Sequence, residues 1–253
     1  MRYIGIIPAR YQSSRFPGKP LCKIGDKTMI EHVYTQASKV KRLEQVIVAT
    51  DHEEIARCVR NFGGEVCMTA STHRSGTERC AEVFRKLIPA AMADSYVVVN
   101  IQGDEPFIQP AQIDEIIDCM EKRLASIGTL VLPLKDAADL SNPNVVKVVR
   151  AGNGKALFFS RSAIPYLRSS SFEETPFYKH IGMYAYRGDV LLDIVTLPPS
   201  SIEQAESLEQ LRWLFHNYEI ATYVTAYPNN IAIDTPEDLE KAITCYLQKN
   251  AIV

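Results

Sequence analysis

Tyr3-Ile4-Gly5-Ile6-Ile7-Pro8-Ala9-Arg10-Tyr11-Gln12-Ser13-Ser14-Arg15-Phe16-Pro17-Gly18-Lys19-Pro20 opens the chain: an apolar, β-branched run stops at a proline and passes straight into a basic loop. The run Tyr3–Ile7 reads as a buried strand. The loop after it carries Arg10, Arg15 and Lys19 with two serines and a glycine, spaced by prolines. A guanidinium is a planar fork that matches phosphate oxygens, and an ammonium adds a compact charge. Backbone N–H groups of an irregular loop add a nest for anions. Prolines stiffen such a loop, so less order has to be imposed on binding. The spacing is neither that of a G-x-x-x-x-G-K-[ST] phosphate loop nor that of a G-x-G-x-x-G dinucleotide turn.

Outward from this stretch the pattern alternates. Helical spacing over Met29–Ser38 is followed by a strand at Val46–Ala49, a helix over His52–Phe62 closed by Gly63-Gly64, and a strand at Val66–Met68. A helix over Thr77–Leu87, a strand at Tyr96–Ile101, a helix over Ile113–Leu124 and a strand at Gly128–Val131 continue the series. Near-continuous apolar strands alternating with helices predict an α/β fold, a mostly parallel central sheet with helices on both faces. Ligands of such sheets sit beyond the carboxyl ends of the strands, here residues 8–19, 50–52, 69–79 and 102–106. Past residue 132 the alternation breaks. Val145–Arg150, the Gly152-Asn153-Gly154 turn and Ala156–Phe159 read as a hairpin. His180–Tyr186 reads as a strand, Glu203–Phe215 as one helix, and Ile220–Thr225 as a strand. Thr235-Pro236-Glu237-Asp238 reads as the start of a last helix, with Thr235 as cap and Asp238 as reciprocal cap. The expected organisation is a single domain over 1–253 with an inserted β-rich element at about 133–187.

Of the 253 residues 46% are hydrophobic and 23% charged, the composition of a globular protein, and the net charge of −2 argues against a surface built to grip nucleic acid. No stretch approaches the length of a membrane span and no signal-peptide core is present, so no membrane association is expected. The six cysteines show no C-x-x-C pair and read as reduced thiols, which places the protein in the cytoplasm.

Two carboxylates stand out. Asp104, in Gln102-Gly103-Asp104-Glu105-Pro106, follows the strand ending at Ile101, and a carboxylate there suits a hard cation that bridges phosphates. Asp234 follows the strand-like Ile231–Ile233 and precedes a helix; it reads either as a second ligand of the same Mg²⁺ or as a helix N-cap.

The loop Pro8–Pro20 resembles the N-terminal signature of the CMP-Kdo synthetase (3-deoxy-manno-octulosonate cytidylyltransferase) family. The resemblance continues in order through Val48-Ala49-Thr50-Asp51, Gly63–Thr69, Ser75-Gly76-Thr77-Glu78-Arg79, Asn100–Pro106 and Asn142-Pro143-Asn144. It runs on through Phe159-Ser160-Arg161, Lys179-His180-Ile181-Gly182, Leu208–Arg212 and Ile233–Leu239, and so covers nearly the whole chain. It implies a glycosyltransferase-A-like nucleotidyltransferase fold whose insertion serves dimerisation and sugar binding, and a homodimer. It also implies Mg²⁺-dependent transfer of CMP from CTP to Kdo, with pyrophosphate released and the product feeding lipopolysaccharide biosynthesis. By the same resemblance Arg10, Lys19, Asp104 and Asp234 are the catalytic set, with Asp104 and Asp234 on the metal. CTP contacts fall on Pro8, Ala9, Arg10, Ser13, Ser14, Arg15, Lys19, Thr50, Asp51, Arg74, Ser75 and Gln102. Sugar contacts fall on Gln102, Arg161, His180, Tyr184, Glu209 and Gln210, with Arg161 facing the sugar carboxylate. Arg15 reads as a second triphosphate clamp or as a structural ion-pair partner. Arg79 reads as a weaker candidate or as the partner of Glu78 or Glu82. Glu209 and Gln210 are adjacent, so on one helix they face about 100° apart. Gln12 and Ala185 depart from the family's usual residues.

Three other readings are weighed against this one. A CMP-activating enzyme for 8-amino-Kdo or another nonulosonic acid shares the chemistry and differs in the sugar pocket. A nicotinamide-dependent reductase lacks its glycine-rich turn here. A nucleotide sensor has no need of two metal carboxylates together with an acid-sugar pocket.

Overall fold

In the computed structural model of the chain, which describes residues 1–12, 15–227 and 231–250, the opening stretch forms β1 (Arg2–Ala9), with Ile4, Ile6 and Ile7 fully or almost fully buried. A short hairpin, β2 (Lys23–Ile24) and β3 (Lys27–Thr28), leads into α1 (Met29–Ala37), capped by the Thr28 hydroxyl. Then come β4 (Leu43–Thr50), α2 (Glu53–Asn61), β5 (Glu65–Met68), α3 (Gly76–Leu87) and β6 (Tyr96–Asn100). The four long strands pair in the order β6-β1-β4-β5, all parallel. Every residue of β6 is buried, Asn100 included, as a strand covered on both faces requires.

The chain divides into two compact units, Met1–Asp114 with Asn230–Val253, and Glu115–Asn229. The helix α4 (Pro110–Arg123) carries the chain from the first to the second. The second unit contains β7 (Ile127–Pro133), α5 (Ala137–Ser141), β8 (Lys147–Arg150), β9 (Ala156–Ser160) and β10 (Tyr178–Arg187). It ends with α6 (Gly188–Ile194), α7 (Ser201–Glu206), α8 (Gln210–Phe215) and β11 (Ile220–Val224). β11 runs parallel to β7, β10 antiparallel to it, and β8 and β9 form the expected hairpin. The segment 133–187 lies within this unit.

The single helix expected over Glu203–Phe215 is two. Ser207 adopts a left-handed conformation (φ 51°) and ends α7, and Glu203 pairs with Arg212 from one short helix to the other. The break carries no glycine or asparagine, the usual residues at such a C-terminus, so the apolar spacing alone ran through it.

Within the second unit Lys147 is fully buried, and burial lowers its pKa. Its ammonium donates to the carbonyls of Asn142 (2.8 Å), Val145 (2.6 Å) and Arg161 (2.5 Å). Three donors meet three acceptors, which lets a cation sit where solvent does not reach. Lys147→Met keeps the stem and strands three carbonyls. At about 1–3 kcal/mol for each buried group left unsatisfied, it is expected to lose roughly 3 kcal/mol or more. Urea unfolding followed by circular dichroism checks this.

The last helix, α9 (Pro236–Asn250), returns to the first unit and covers Ile24 and Met29 with Ile233 and Ala242, Tyr246 packing at the rim. Its start is the reciprocal cap expected. Thr235 Oγ1 accepts the Asp238 N–H at 3.3 Å, and the Asp238 carboxylate accepts the Thr235 N–H at 3.2 Å. Asp234 is thereby released from capping.

Candidate active site

The carboxyl end of β1 opens into the basic loop. The loop is closed by the Gly18 N–H donating to the Tyr11 carbonyl at 2.9 Å, with Gly18 in the left-handed region (φ 70°). That turn sets Lys19 at the start of a short 3₁₀ helix and aims its side chain inward. Opposite, β6 ends and the chain passes Gly103, where a Cβ would stand 2.7 Å from the Pro8 carbonyl oxygen; only glycine permits that approach. Asp104 follows immediately. Its carbonyl accepts the Ile233 N–H at 3.0 Å, which brings the next residue, Asp234, alongside.

The result is a tight charge cluster. Lys19 Nζ lies 2.9 Å from Asp104 Oδ2 and 3.2 Å from Asp234 Oδ1, and the Arg15 guanidinium lies 3.2 Å from Asp234 Oδ2. Glu105 turns away from solvent. Burial, with the Asp104 charge adding, raises its carboxyl to about 8, so it is a neutral acid at pH 7. A cavity of about 270 Å³ opens over the cluster, and Arg10, Arg15, Lys19, Arg74 and Arg79 line it against two carboxylates, Asp104 and Asp234. The excess of cations suits a polyanion.

The far wall is formed by His73–Gly76 and Arg79; the predicted contacts Thr50 and Asp51, at the end of β4, do not line the cavity, and Asp51 stands behind Arg79. Thr50 is fully buried and its carbonyl accepts both the N–H (2.8 Å) and the hydroxyl (3.1 Å) of Thr69. Asp51 accepts from Arg79 at 3.2 Å and from the Tyr11 N–H at 3.4 Å, while the Tyr11 ring stacks on His52 at 3.9 Å. Arg79 therefore pairs with Asp51, not with Glu78 or Glu82 as its helical neighbours suggest. It also donates to the Thr69 hydroxyl at 2.5 Å. The Ser75 hydroxyl caps α3 by accepting the Glu78 N–H at 3.2 Å. Pro8, Ala9, Arg74, Ser75 and Gln102 line the cavity. Ser13 and Ser14 lie outside the described residues.

The second unit holds the remaining candidates. The Arg161 side chain donates to the carbonyls of Glu206 (2.8 Å), Pro143 (3.0 Å) and Ser207 (3.5 Å). His180 Nε2 lies 3.0 Å from Thr129 Oγ1, whose own proton goes to the Met183 carbonyl at 2.8 Å or the Ile181 carbonyl at 3.2 Å. The ring must therefore donate through Nε2, which leaves Nδ1 as an acceptor. Burial lowers the His180 pKa to about 3, so the ring is neutral. Tyr184 stacks on Tyr186 and meets Trp213 edge-on, and its buried hydroxyl finds no partner among the described residues. Burial first, then Tyr186 and the charge of Glu209, hold its pKa well above the usual range. Gln210 is buried at the start of α8, and Glu209 is that helix's more exposed N-cap residue.

Comparison with known proteins places this arrangement. The model of the cytidylyltransferase family matches residues 4–221. The 3-deoxy-manno-octulosonate cytidylyltransferase of Parabacteroides distasonis is 51% identical over 252 residues, covering 96% of this chain and 97% of that protein. The chain belongs to the cytidylyltransferase family. Within it, a solved CMP:2-keto-3-deoxy-manno-octonic acid synthetase complexed with CTP superimposes with a TM-score of 0.90 at 42% identity, covering 98% of this chain and all of that one. A 4-diphosphocytidyl-2C-methyl-D-erythritol synthase from Anaerococcus prevotii, at 18% identity and a TM-score of 0.63, shares the fold. The expected α/β class with a mostly parallel sheet and the family resemblance both hold.

In this cytidylyltransferase the structure brings Arg10, Arg15, Lys19, Asp104 and Asp234 to one cavity, as the sequence reading expects of all five, although Ile231–Ile233, read as strand-like, forms no strand. Reading the sequence missed Lys147 and the ties of Glu82. A lone lysine in a strand and a glutamate on a helix carry no signal until their distant partners are known.

Proposed function

We propose that this chain transfers CMP from CTP to Kdo and releases pyrophosphate. The observation that carries the proposal is Lys19 bracketed by Asp104 and Asp234 at the foot of an arginine-lined cavity. The family and the CTP-complexed neighbour at 42% identity support the nucleotide, and relatives named for 3-deoxy-manno-octulosonate support the acceptor.

In the transfer, the anomeric hydroxyl at C2 of Kdo attacks the α-phosphorus in line. A new P–O bond forms as the bond to pyrophosphate breaks, and the hydroxyl proton passes to solvent. Such transfers are chiefly positioning and charge neutralisation. Arg10, Arg15 and Lys19 hold triphosphate oxygens and offset charge on the leaving pyrophosphate. Arg74 and Ser75, with Arg79 held from behind by the half-buried Asp51 next to the buried Thr50, shape the wall proposed to receive the base, where cytosine's amino donor has to be told from uracil's carbonyl.

Asp104 and Asp234 offer two hard oxygen donors, and among the described residues no group of three or more His, Cys, Asp or Glu comes together. That set fits Mg²⁺, which takes one or two carboxylates and fills its remaining positions with phosphate oxygens and water. Asp104 and Asp234 would hold the ion, whose chemistry there would be Lewis-acid neutralisation of phosphate charge and a lowered pKa for a coordinated hydroxyl. For the sugar, Arg161 is the proposed partner of the carboxylate, through N–H groups beyond the three already engaged. His180 Nδ1, the Tyr184 hydroxyl, Glu209, Gln210 and Gln102 are the proposed hydroxyl contacts. A homodimer working in the cytoplasm on lipopolysaccharide precursors completes the proposal.

Pyrophosphate release from CTP and Mg²⁺ tests it, with Kdo, 8-amino-Kdo and N-acetylneuraminate offered in parallel. Release with Kdo is expected. Release only with another acid moves the acceptor, and release with none removes the reading.

A further inference from the structure

Glu82 on α3 takes no part in the proposed transfer, yet its carboxylate is fully engaged with the loop that joins β5 to α3. Oε2 accepts the Ala70 N–H at 2.9 Å and meets His73 Nε2, while Oε1 pairs with Lys86 at 2.6 Å. Lys86 in turn donates to the carbonyl of Met68, the last residue of β5, at 2.7 Å. One turn earlier on α3, Glu78 accepts the Arg74 N–H at 2.8 Å and lies 3.7 Å from the other ring nitrogen of His73. The loop is thus pinned to α3 at residues 68, 70, 73 and 74, and its last pinned residues, with Ser75 and Gly76, line the cavity.

Two features separate this arrangement from an ordinary surface ion pair. Burial works against ionisation of Glu82, but the hydrogen bonds from Lys86, the Ala70 N–H and His73 outweigh it and bring the carboxyl down to about 2. Charge-assisted bonds of this kind are roughly twice as strong as neutral ones. Moreover, α3 packs into the core through Cys80, Ala81, Val83 and Phe84, so Glu82 is not what holds the helix in place. What it does hold is the path of the loop.

We propose that Glu82 is a positioning residue for nucleotide binding: through Ala70 and His73 it fixes the loop whose Arg74, Ser75 and Gly76 face CTP. The inference rests on the reading of the cavity as a CTP site and is independent of which sugar accepts the nucleotide.

The test compares Glu82→Ala and Glu82→Gln with the unaltered protein in steady-state kinetics, varying CTP and Kdo separately. Glu82→Ala loses every tie and is expected to raise KM for CTP about tenfold, with kcat and KM for Kdo changed less than twofold. Glu82→Gln keeps one neutral acceptor where Oε2 stood and is expected to recover most of the loss, to about threefold. KM for CTP within 1.5-fold of the unaltered protein in Glu82→Gln and within twofold in Glu82→Ala overturns the proposal. Equal changes in kcat and in both KM values also overturn it, since a purely structural role moves all three. Should Glu82→Ala not fold, the CTP dissociation constant of Glu82→Gln decides alone: about threefold weaker supports positioning, unchanged refutes it. Absence of turnover in the unaltered protein speaks against the activity reading instead, and CTP binding to the variants still tests this one.

Discussion

Asp104→Ala is expected to lower kcat by at least about a thousandfold while weakening CTP binding by less than tenfold. The asymmetry follows from what Asp104 touches. It stands at the end of β6, held there by the close passage of Gly103 under Pro8 and by the Ile233 N–H on its carbonyl, and its carboxylate meets Lys19 at 2.9 Å. CTP affinity is carried mostly by cations, and Arg10, Arg15, Arg74 and Arg79 still line the cavity in the variant. Transition-state stabilisation depends instead on charge placed where the α-phosphorus reacts. Removal of a single well-placed electrostatic group commonly costs 10²–10³ in kcat, and loss of one of the two carboxylates proposed for Mg²⁺ is expected to cost more. Kinetics with saturating CTP, paired with direct titration of CTP, separates the two effects. A loss confined to CTP affinity would show that Asp104 is part of the binding wall and not of the reacting centre.

Lys19→Met is expected to cut kcat/KM by roughly a hundredfold or more and to lower the melting temperature in metal-free buffer at neutral pH. Among the described residues Lys19 is the one cation that meets both carboxylates, at 2.9 and 3.2 Å, and its side chain is 15% exposed. Methionine keeps the stem and removes the charge, leaving Asp104 and Asp234 close together with Arg15 facing Asp234. Like charges at close range cost free energy in a partly desolvated site. Mg²⁺ is expected to restore more of the melting temperature in the variant than it adds to the unaltered protein, because the proposed site, the carboxylate pair, exists in the folded chain and not in the unfolded one. Lys19→Arg is not expected to rescue turnover, since a planar fork does not replace a point charge held between two carboxylates. Thermal melts with and without millimolar Mg²⁺ check the stability half of this prediction, and initial rates check the other.

Much of the first unit was legible because each element states its own period. The almost wholly apolar run of Tyr96–Ile101, rich in valine, reads as a strand covered on both faces, and Ile55, Val59 and Phe62 recur at helical spacing before a Gly-Gly stop. Where a boundary depends on one residue's backbone, the pattern fails. Nothing in Ser207 announces a left-handed turn, so Glu203–Phe215 read as one helix although its glutamate and arginine pair from one short helix to the next. The same division runs through the site. Arg10 and Asp104 sit just past the ends of β1 and β6 and Lys19 lies in the loop that follows β1, and strand ends are where ligands sit. Asp234 stands 130 residues beyond Asp104, and the Ile233-to-Asp104 backbone bond and the shared Lys19 bring the two together. Arg79 shows how local reading misleads. Glu78 and Glu82 are its neighbours on the helix, but its partner is Asp51 from the end of another strand, and Glu82 goes to His73. Partners of this kind are set by tertiary packing, which no spacing along the chain encodes.

The most direct test of the central claim is phosphorus NMR of CTP, Kdo and Mg²⁺ incubated with the protein. The account predicts growth of a phosphodiester resonance matched one to one by pyrophosphate and absent with Asp104→Ala. Pyrophosphate without a sugar phosphodiester, or CTP left unconsumed, would contradict it.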